Sequence, residues 1–380
     1  MMAVPKLRFK DEHGEEFLGW EEKKLGDVCV TFSGGTPSVT NSTYYNGCIP
    51  FIKSGEINKS YTEAFLTEKG LKNSSAKLVK KGDLLYALYG ATSGESGISK
   101  INGAINQAIL CIKSDILDLK YLKNLLCFNK NRITGMYLQG GQGNLSAEII
   151  KSLKFYFPSS PEQTKIANFL SAIDEKISHI NKKLDLLKQY KKGMMQKIFN
   201  QDIRFKDENG EEFPEWEEKE FNNVFSTIPS KKYQIFSTEI NEVGQFPVLD
   251  QSQALIAGYS DQQDKVCHIS PIIVFGDHTT VVKYFEKPFI VGADGTKLLF
   301  CHNGITKFFL YVIEFDPVIP EGYKRHFSLL REKNFPFPCI EEQTKIANFL
   351  SAIDEKIALV EKQLASTREY KKGLMQQLFI

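Results

Sequence analysis

The chain of 380 residues contains a long repeat, and this repeat limits it to a duplicated architecture. The segment EQTKIANFLSAIDEKI at positions 162–177 recurs unchanged at 342–357, a displacement of 180 residues. Over the 40 residues that begin at position 161, 25 are identical in the second copy. Chance does not produce such agreement, so the sequence predicts a fold with two related halves.

A second repeat lies before the first one in each half of the chain. The segment RFKDEHGEEFLGWEEK at 8–23 returns at 204–219 with 13 of 16 positions identical, displaced by 196 residues. Because the two displacements differ by 16 residues, the stretch between the repeats is shorter in the second half. These stretches, 24–154 and 220–334, show almost no resemblance to each other. The sequence therefore predicts a shared frame, made of arms and long repeats, that carries two diverged inserts.

The order of the repeats is circular. In mid-chain YKKGMMQKIF precedes RFKDENGEEF, whereas YKKGLMQQLFI ends the chain and RFKDEHGEEF lies near its start. We therefore predict that the two ends of the chain lie close together and that the frame has pseudo-two-fold symmetry. Such symmetry suits a ligand made of two parts.

Each long repeat has the apolar spacing of a coiled coil. Apolar residues recur in steps of four and three, which average about 3.5 residues. The residues at matching positions are Ile166, Leu170, Ile173, Ile177, Ile346, Leu350, Ile353 and Ile357. Pro158 and Pro338 limit where the helices begin. We predict two long helices that pack antiparallel and contact partners; the alternative is that each apolar stripe packs only on its own domain.

A lysine and a glycine interrupt this pattern at the same place in both copies. Lys191 and Lys371 occupy apolar positions, and Gly193 and Gly373 follow them. Glycine weakens helices, so we expect each helix to fray or bend there.

Both inserts are predicted to be mixed α/β with short strands. Runs of β-branched and aromatic residues predict strands at 48–52, 83–89, 108–112, 269–275, 279–285 and 306–315. The stretch 117–129 is predicted to be helical.

Glycine-rich loops between these strands carry small polar side chains. Threonine, serine, asparagine, glutamine and lysine suit contacts with phosphates and base edges, although such loops are also ordinary turns. The candidate DNA-binding residues are Thr36, Ser38, Lys53, Tyr89, Thr92, Ser93, Asn106, Gln107, Gln142, Asn144, His278, Thr279, Thr280, Lys283 and Lys297.

Composition excludes few classes of protein but bears on possible partners, metal sites and the cellular compartment. The net charge of +2 neither supports nor excludes a nucleic-acid partner, because binding depends on clustered charge. The seven cysteines contain no C-x-x-C pair, and the adjacent pairs Cys267-His268 and Cys301-His302 lack the spacing of a metal site. The charged N-terminus and the lack of long apolar runs predict a cytoplasmic chain with no membrane segment.

Familiar catalytic motifs are missing. The sequence has no G-x-x-x-x-G-K-[ST] loop, no Asn/Asp-Pro-Pro-Tyr/Phe loop, no G-x-S-x-G and no H-E-x-x-H. Asp277 beside His278 could serve acid–base catalysis, but no complementary nucleophile accompanies them. Two alternatives to DNA binding stay open: an enzyme with a site near Asp277 and His278, and a coiled-coil scaffold that does not bind DNA.

Several motifs together resemble one known family. The elements GTPS, LYGATSGESG, NLSAEIIKSLKFYFP and GDHTT with VGADGTK, together with the duplicated helix, resemble the specificity subunits of type I restriction–modification systems over essentially the whole chain. The resemblance implies an α+β fold, with two mixed α/β target-recognition domains separated by a long antiparallel coiled coil. Each domain is expected to read one half of a bipartite site in double-stranded DNA.

The resemblance also implies partners and segment boundaries. The helices would set the spacer and dock two methyltransferase subunits, and restriction (motor) subunits would join the full complex. S-adenosylmethionine and ATP with Mg²⁺ are expected on those partners, with no cofactor, metal or catalytic residue in this chain. The expected segments are an arm with the first recognition domain (1–157), the central helix (158–200), the second arm and domain (201–337) and the C-terminal helix (338–380).

Overall fold

The chain divides into two compact units, and both long repeats contribute residues to each of them. The computed structural model describes residues 5–138, 144–292, 294–322 and 324–379. Unit 1 comprises residues 1–181 and 363–380, and unit 2 comprises residues 182–362.

The elements of unit 1 alternate short strands with short helices before one long helix. The strands are β1 (Glu21–Lys24), β2 (Val30–Ser33), β3 (Tyr45–Ile52), β4 (Phe65–Leu66), β5 (Lys77–Val79), β6 (Leu84–Ala87), β7 (Ser96–Ile98), β8 (Gly103–Ile105), β9 (Ile109–Lys113) and β10 (Lys154–Phe157). The helices are α1 (Leu25–Val28), α2 (Glu68–Lys72), α3 (Leu119–Phe128), α4 (Lys130–Leu138), α5 (Ala147–Ser152) and α6 (Ser160–Phe199). Helix α6 contributes its residues up to 181 to unit 1 and the rest to unit 2.

Unit 2 has a similar series of elements. The strands are β11 (Glu217–Glu220), β12 (Phe225–Ile228), β13 (Phe246–Leu249), β14 (Gly258–Ser260), β15 (Ile272–Gly276), β16 (Val282–Phe285), β17 (Ile290–Val291), β18 (Thr296–Cys301) and β19 (Asn334–Phe337). The helices are α7 (Phe221–Val224), α8 (Thr306–Phe315), α9 (Phe327–Arg331) and α10 (Ile340–Leu378), and α10 returns to unit 1 from residue 363.

The main sheets of the two diverged inserts have the same topology. A four-stranded antiparallel sheet has the order β2-β9-β6-β7 in unit 1 and β12-β18-β15-β16 in unit 2. A second sheet, of four strands in unit 1 and three in unit 2, contains one parallel pair, β3 with β8 and β13 with β17. Because a sheet requires a pattern of burial and not particular residues, one topology accommodates two unrelated sequences.

Most predicted elements are confirmed, with one clear error. Strands β3, β6, β9, β15 and β16 fall within or across the predicted runs, and α3 lies inside the predicted helical stretch. The run 306–315, predicted as a strand, is helix α8. Seven of its ten residues are buried, and an apolar run that is buried on nearly all sides has no period that separates helix from strand.

A buried carboxylate at the start of α6 fastens the first arm. Arg8 donates to both carboxylate oxygens of Glu162, from Nε at 3.0 Å and from Nη2 at 2.7 Å. Trp20 Nε1 donates to the same carboxylate at 3.2 Å. The side chain of Glu162 is fully buried, so its charge requires these partners.

The second arm is fastened by the matching residues. Arg204 donates to Glu342 at 3.3 and 2.8 Å, and Trp216 donates at 2.8 Å. The side chain of Glu342 is fully buried as well. The two arms and the two helix starts are alike in sequence because each pair makes the same contact, in which an arginine and a tryptophan of the arm bind a buried glutamate of the helix.

A glutamine next to each carboxylate joins the long helix to its insert. Gln163 accepts the N–H of Asp118 at 3.0 Å and donates to the carbonyl of Pro158 at 2.9 Å. Asp118 in turn caps the N-terminus of α3. Gln343 makes the same two contacts in unit 2, with Ile305 before α8 and with Pro338.

The long helices pack against each other and on the inserts at the same time. In the core of unit 1, Ile166, Leu170 and Ile173 lie with Leu374 and Leu378 and with buried residues of the insert. In unit 2 the N-terminal part of α10 packs in the same way against the C-terminal part of α6 and the second insert. The helix residues of this core are Met195 and Ile198 of α6 and Ile346, Leu350 and Ile353 of α10. Ile177 and Ile357 are partly buried beside these cores. The apolar stripe of each helix therefore packs on the other helix and on an insert.

The expected fraying is wrong, because both helices continue past their glycines. In unit 1 the ammonium of Lys371 lies 2.5 Å from the carboxylate of Asp174. In unit 2 that of Lys191 lies 2.7 Å from Asp354. The lysines interrupt the apolar pattern because each pairs with an aspartate of the other helix.

The predicted proximity of the chain ends is confirmed. The N–H of Leu7 donates to the carbonyl of Gln377 at 3.0 Å. The matching residues in mid-chain make the same bond, from the N–H of Ile203 to the carbonyl of Lys197 at 3.2 Å. The same backbone hydrogen bond therefore occurs twice. It joins the first and last parts of the chain in unit 1, and it joins residues close in sequence in unit 2.

Replacing Gly193 with alanine should stabilise the protein by about 0.5–1 kcal/mol. The position is helical, and a Cβ there would meet nothing within 4 Å. Scanning calorimetry of the full chain measures the shift. The control is Gly210→Ala, where a Cβ also has open space but φ is +84°, so that variant should be less stable. Equal shifts for the two variants would contradict a continuous helix.

Candidate functional site

Loops from distant parts of the first insert meet at one end of the four-stranded sheet of unit 1. Strands β2 and β6 end there and β9 begins there, since Ser33 pairs with Leu110 and Ala87 with Ile109. The parallel strands β3 and β8 also end on this side, because the N–H of Gly35 donates to the carbonyl of the last residue of β8. We call the segments 34–38, 53–54, 88–95 and 106–108 the loop end of unit 1.

Two predicted residues contact each other at this loop end. The hydroxyl of Thr36 donates to the side-chain oxygen of Gln107. Burial raises the pKa of a third predicted residue, Tyr89, and the side chain of Gln107 opposes that change. The sheet therefore assembles side chains that are up to 71 residues apart in sequence.

Other predicted residues of unit 1 shape the loops themselves. Ser93 donates its hydroxyl to the carbonyl of Leu88 at 3.1 Å, and the side-chain oxygen of Asn106 accepts the N–H of Ala108 at 3.1 Å. Thr92 lies in the same turn as Ser93 and is half-buried. These contacts are typical of turns, so the residues support the loop end from within.

The remaining predicted residues of unit 1 are exposed. Lys53 follows β3, and the side chain of Ser38 hydrogen-bonds that of Thr40. Asn144 is exposed next to Leu145, whose N–H donates to the carbonyl of Leu88. Gln142 lies outside the described residues.

The second insert forms the matching loop end of unit 2, with segments 229–234, 250–252, 277–280 and 294–297. Strands β12 and β15 end there and β16 and β18 begin there, with Gly276 paired to Thr296. His278, Thr279 and Thr280 follow β15, and Lys297 lies at the start of β18. The predicted residues of both inserts thus occupy equivalent ends of equivalent sheets.

The carboxylate of Asp277 holds backbone in place. It is 2% exposed, and its Oδ1 accepts the N–H of His326 at 3.0 Å and that of Phe327 at 2.9 Å. Its Oδ2 lies 3.5 Å from the ammonium of Lys297. These contacts bind the loop after β15 to the start of α9, which is a structural use of the carboxylate.

Lys283 is used inside unit 2. Its side chain is 4% exposed, and its Nζ donates to the carbonyl of Asp250 at 2.7 Å. Burial lowers the pKa of Lys283, and the carboxylate of Asp250 opposes that change. DNA would reach this ammonium only after the contact with Asp250 opened, whereas Lys53 and Lys297 are accessible.

Several residues of the loop end of unit 2 escaped prediction. Gln251 follows β13 and contacts both other loops, and Lys231 and Lys232 lie exposed after β12. Lys324 and Arg325 are exposed before α9. The candidates were selected from glycine-rich loops, and Gln251, in the segment DQSQ after β13, lies in no such loop.

The described residues contain no group of three or more His, Cys, Asp or Glu side chains placed to hold a metal ion. Each of the seven cysteines is a free thiol, and burial raises the pKa of Cys301 to about 11. Over the same part of the chain, no helix has the length and apolar character needed to cross a membrane.

Solved structures share this architecture. The S subunit of a type I restriction–modification system from M. genitalium matches with a TM-score of 0.68 at 18% identity, covering 100% of this chain and 99% of that one. A chain from a structure on complex assembly and conformational transition of the type I R-M system matches with a TM-score of 0.55 at 16% identity, over 96% and 97% of the two chains. These likenesses show a common fold.

Sequence comparisons identify the family. The model described as Type I restriction modification DNA specificity domain matches residues 18–189 and 214–367. The Type I restriction enzyme MjaVIII specificity subunit of Methanocaldococcus jannaschii is 24% identical over 425 residues, covering 99% of this chain and 97% of the relative. The MjaIX specificity subunit of the same organism is 28% identical over 249 residues, covering 59% and 57%. The chain therefore belongs to the type I restriction–modification specificity family and is a DNA sequence-specificity subunit.

Proposed function

We propose that the loop end of each unit reads one half of a two-part DNA site. The observation that carries this proposal is that two equivalent loop ends stand on one topology and bear different polar residues. Exposed hydroxyl groups such as those of Thr36 and Ser38 suit base edges, and exposed lysines suit phosphates. Each half-site would then be chosen by one insert.

The long helices would set the distance between the half-sites. Helices α6 and α10 each contribute residues to both units without a break. An uninterrupted helix has a fixed rise of about 1.5 Å per residue, so its length defines a spacing.

We assign the docking of two modification subunits to the exposed start of each long helix. Between residues 162 and 177 every exposed residue has an identical counterpart in α10: Thr164, Asn168, Ala172, Glu175 and Lys176 match Thr344, which is half-buried, and the exposed Asn348, Ala352, Glu355 and Lys356. In the next part of α6, seven of the eight exposed positions between 178 and 189 differ from their counterparts in α10. Exposed residues are free to change unless something outside the fold contacts them, so the preserved patches suit two copies of one partner.

The arms add acidic residues beside these patches. Each arm contacts its helix at two positions that are one turn apart. In α6 these are Glu162, which binds Arg8, and Lys165, which donates to the carbonyl of Lys10. The turns of the arms expose carboxylates that are the same in both copies: Glu12, Glu15, Glu16, Glu208, Glu211 and Glu212. We therefore expect the partner to present a basic face here.

The chain itself would perform no chemistry. Asp277 is committed to the backbone of α9, which argues against the alternative of an acid–base site with His278. We propose that S-adenosylmethionine, ATP and Mg²⁺ bind to modification and restriction subunits, and that the complex acts in the cytoplasm. The alternative of a scaffold without DNA finds no support in the relatives, which are named specificity subunits.

Exchanging residues 24–154 for the corresponding insert of another family member should change one half-site only. The insert of unit 2 keeps its own core and its own loop end, so the bases that it reads should stay the same. Methylation profiling of DNA modified by the reconstituted complex gives the site before and after the exchange. A change in both half-sites, or one contiguous site, would refute the assignment of one half-site to each unit.

Replacing Lys53 with methionine should lower the salt dependence of DNA binding, since each phosphate contact adds about one to the slope of log affinity against log salt. The matched variant is Lys283→Met, which removes a buried ammonium and should weaken the fold while leaving the slope unchanged. Fluorescence anisotropy at several salt concentrations measures both slopes. A lower slope for Lys283→Met alone would reverse the roles given to the two lysines.

An arginine at position 172 should displace one modification subunit, because a large charged side chain would stand in the preserved patch. Ala172→Arg and Ala352→Arg should each leave one bound subunit, and the double variant none. Native mass spectrometry of the reconstituted complex counts the subunits. The control is Ser178→Arg, at an exposed position that differs between the copies. Two subunits bound to the double variant would exclude these patches as the docking surfaces.

A further inference from the structure

One glutamine side chain joins three segments of the loop end of unit 2. Oε1 of Gln251 accepts the N–H of His278 at 3.2 Å, and its Nε2 donates to the carbonyl of Asp294 at 2.9 Å. The backbone carbonyl of Gln251 accepts the hydroxyl of Thr279 at 2.6 Å. The segments that follow β13 and β15 and the segment that precedes β18 are therefore held together by this residue.

Two glycines let the backbone approach Gln251 closely. A Cβ at Gly276 would lie 2.9 Å from the Cβ of Gln251, and one at Gly295 would lie 3.1 Å from its Nε2. Gly295 also has φ of +80°, a conformation that other residues rarely adopt. A carboxamide offers an acceptor and a donor in one plane, so it can bridge two backbone segments as a peptide group does.

Unit 1 has a glutamine with a similar use at its own loop end. Gln107 accepts the hydroxyl of Thr36, which joins the loops after β2 and β8. The two glutamines do not occupy matching positions, because Gln107 follows β8 and Gln251 follows β13. The same link between loops is thus built in two ways on one topology.

We infer that Gln251 and Gln107 are positioning residues for the reading of DNA, each holding the loops of its own unit in the arrangement that recognises bases. This inference rests on the proposed function. Base discrimination depends on donors and acceptors held within about 0.5 Å of the required geometry. Loops released from each other would still contact DNA, but would reject a wrong base less well.

The test uses the full chain assembled with its modification subunits. Methylation profiling first defines the two half-sites; methylation rates are then measured on the cognate site and on sites with one wrong base in either half. Gln251→Ala should reduce discrimination about tenfold in the half-site read by unit 2 and leave the other half unchanged. Gln107→Ala should do the reverse, so each variant serves as the control for the other.

Gln251→Glu tests the link without a change of size. The carboxylate keeps the acceptor for the N–H of His278 but has no donor for the carbonyl of Asp294, so discrimination should fall in the same half-site. If Gln251→Ala does not fold, this variant and Thr279→Val carry the test; Thr279→Val removes the bond to the carbonyl of Gln251 and the longer bond from the N–H of Val281.

Two results would overturn the inference. One is an equal loss of rate on cognate and mismatched sites, which a purely structural role would produce together with a lower melting temperature. The other is unchanged discrimination in every variant that folds. A wild-type complex that prefers no two-part site would instead refute the proposed function, so the two failures are distinguishable.

Discussion

The frame of this protein depends on a buried carboxylate that occurs twice. Glu162 and Glu342 lie fully buried at the starts of the long helices, where an arginine and a tryptophan of each arm neutralise and hydrogen-bond them. A buried charge without such partners would cost several kcal/mol, so the arm, the helix and the strand that precedes the helix must remain together. The neighbouring glutamines, Gln163 and Gln343, extend this attachment to the inserts.

This attachment separates the part of each insert that must stay the same from the part that is free to differ. Beside the apolar side chains that pack on the long helices, the contacts of the insert with the frame include backbone N–H groups, as at Asp118 and Ile305, and these are available whatever the side chain. At the opposite end of the sheet, the loops carry side chains that share no residue pattern between the units. A specificity subunit can therefore change the bases that it reads without rebuilding its frame.

Periodic features were predictable because they depend on near neighbours in sequence. The apolar steps of the long helices and the runs of strands β6, β9 and β15 lie where the sequence predicted them. Prediction failed at α8, whose residues are buried on nearly all sides, and at Lys191 and Lys371, whose aspartate partners lie on the other long helix. In both cases the deciding contact is distant in sequence, so no local pattern records it.

The sequence by itself determined the duplication, the circular order and the division into frame and inserts, since these are relations between residues that can be read directly. The tertiary structure alone decided that the two inserts have one topology and that their loops meet at one end of each sheet. Thr36 and Gln107 are 71 residues apart, and Gln251 and His278 are 27 apart. Such pairs come together only through strand pairing, and the register of a sheet follows from burial in the whole domain.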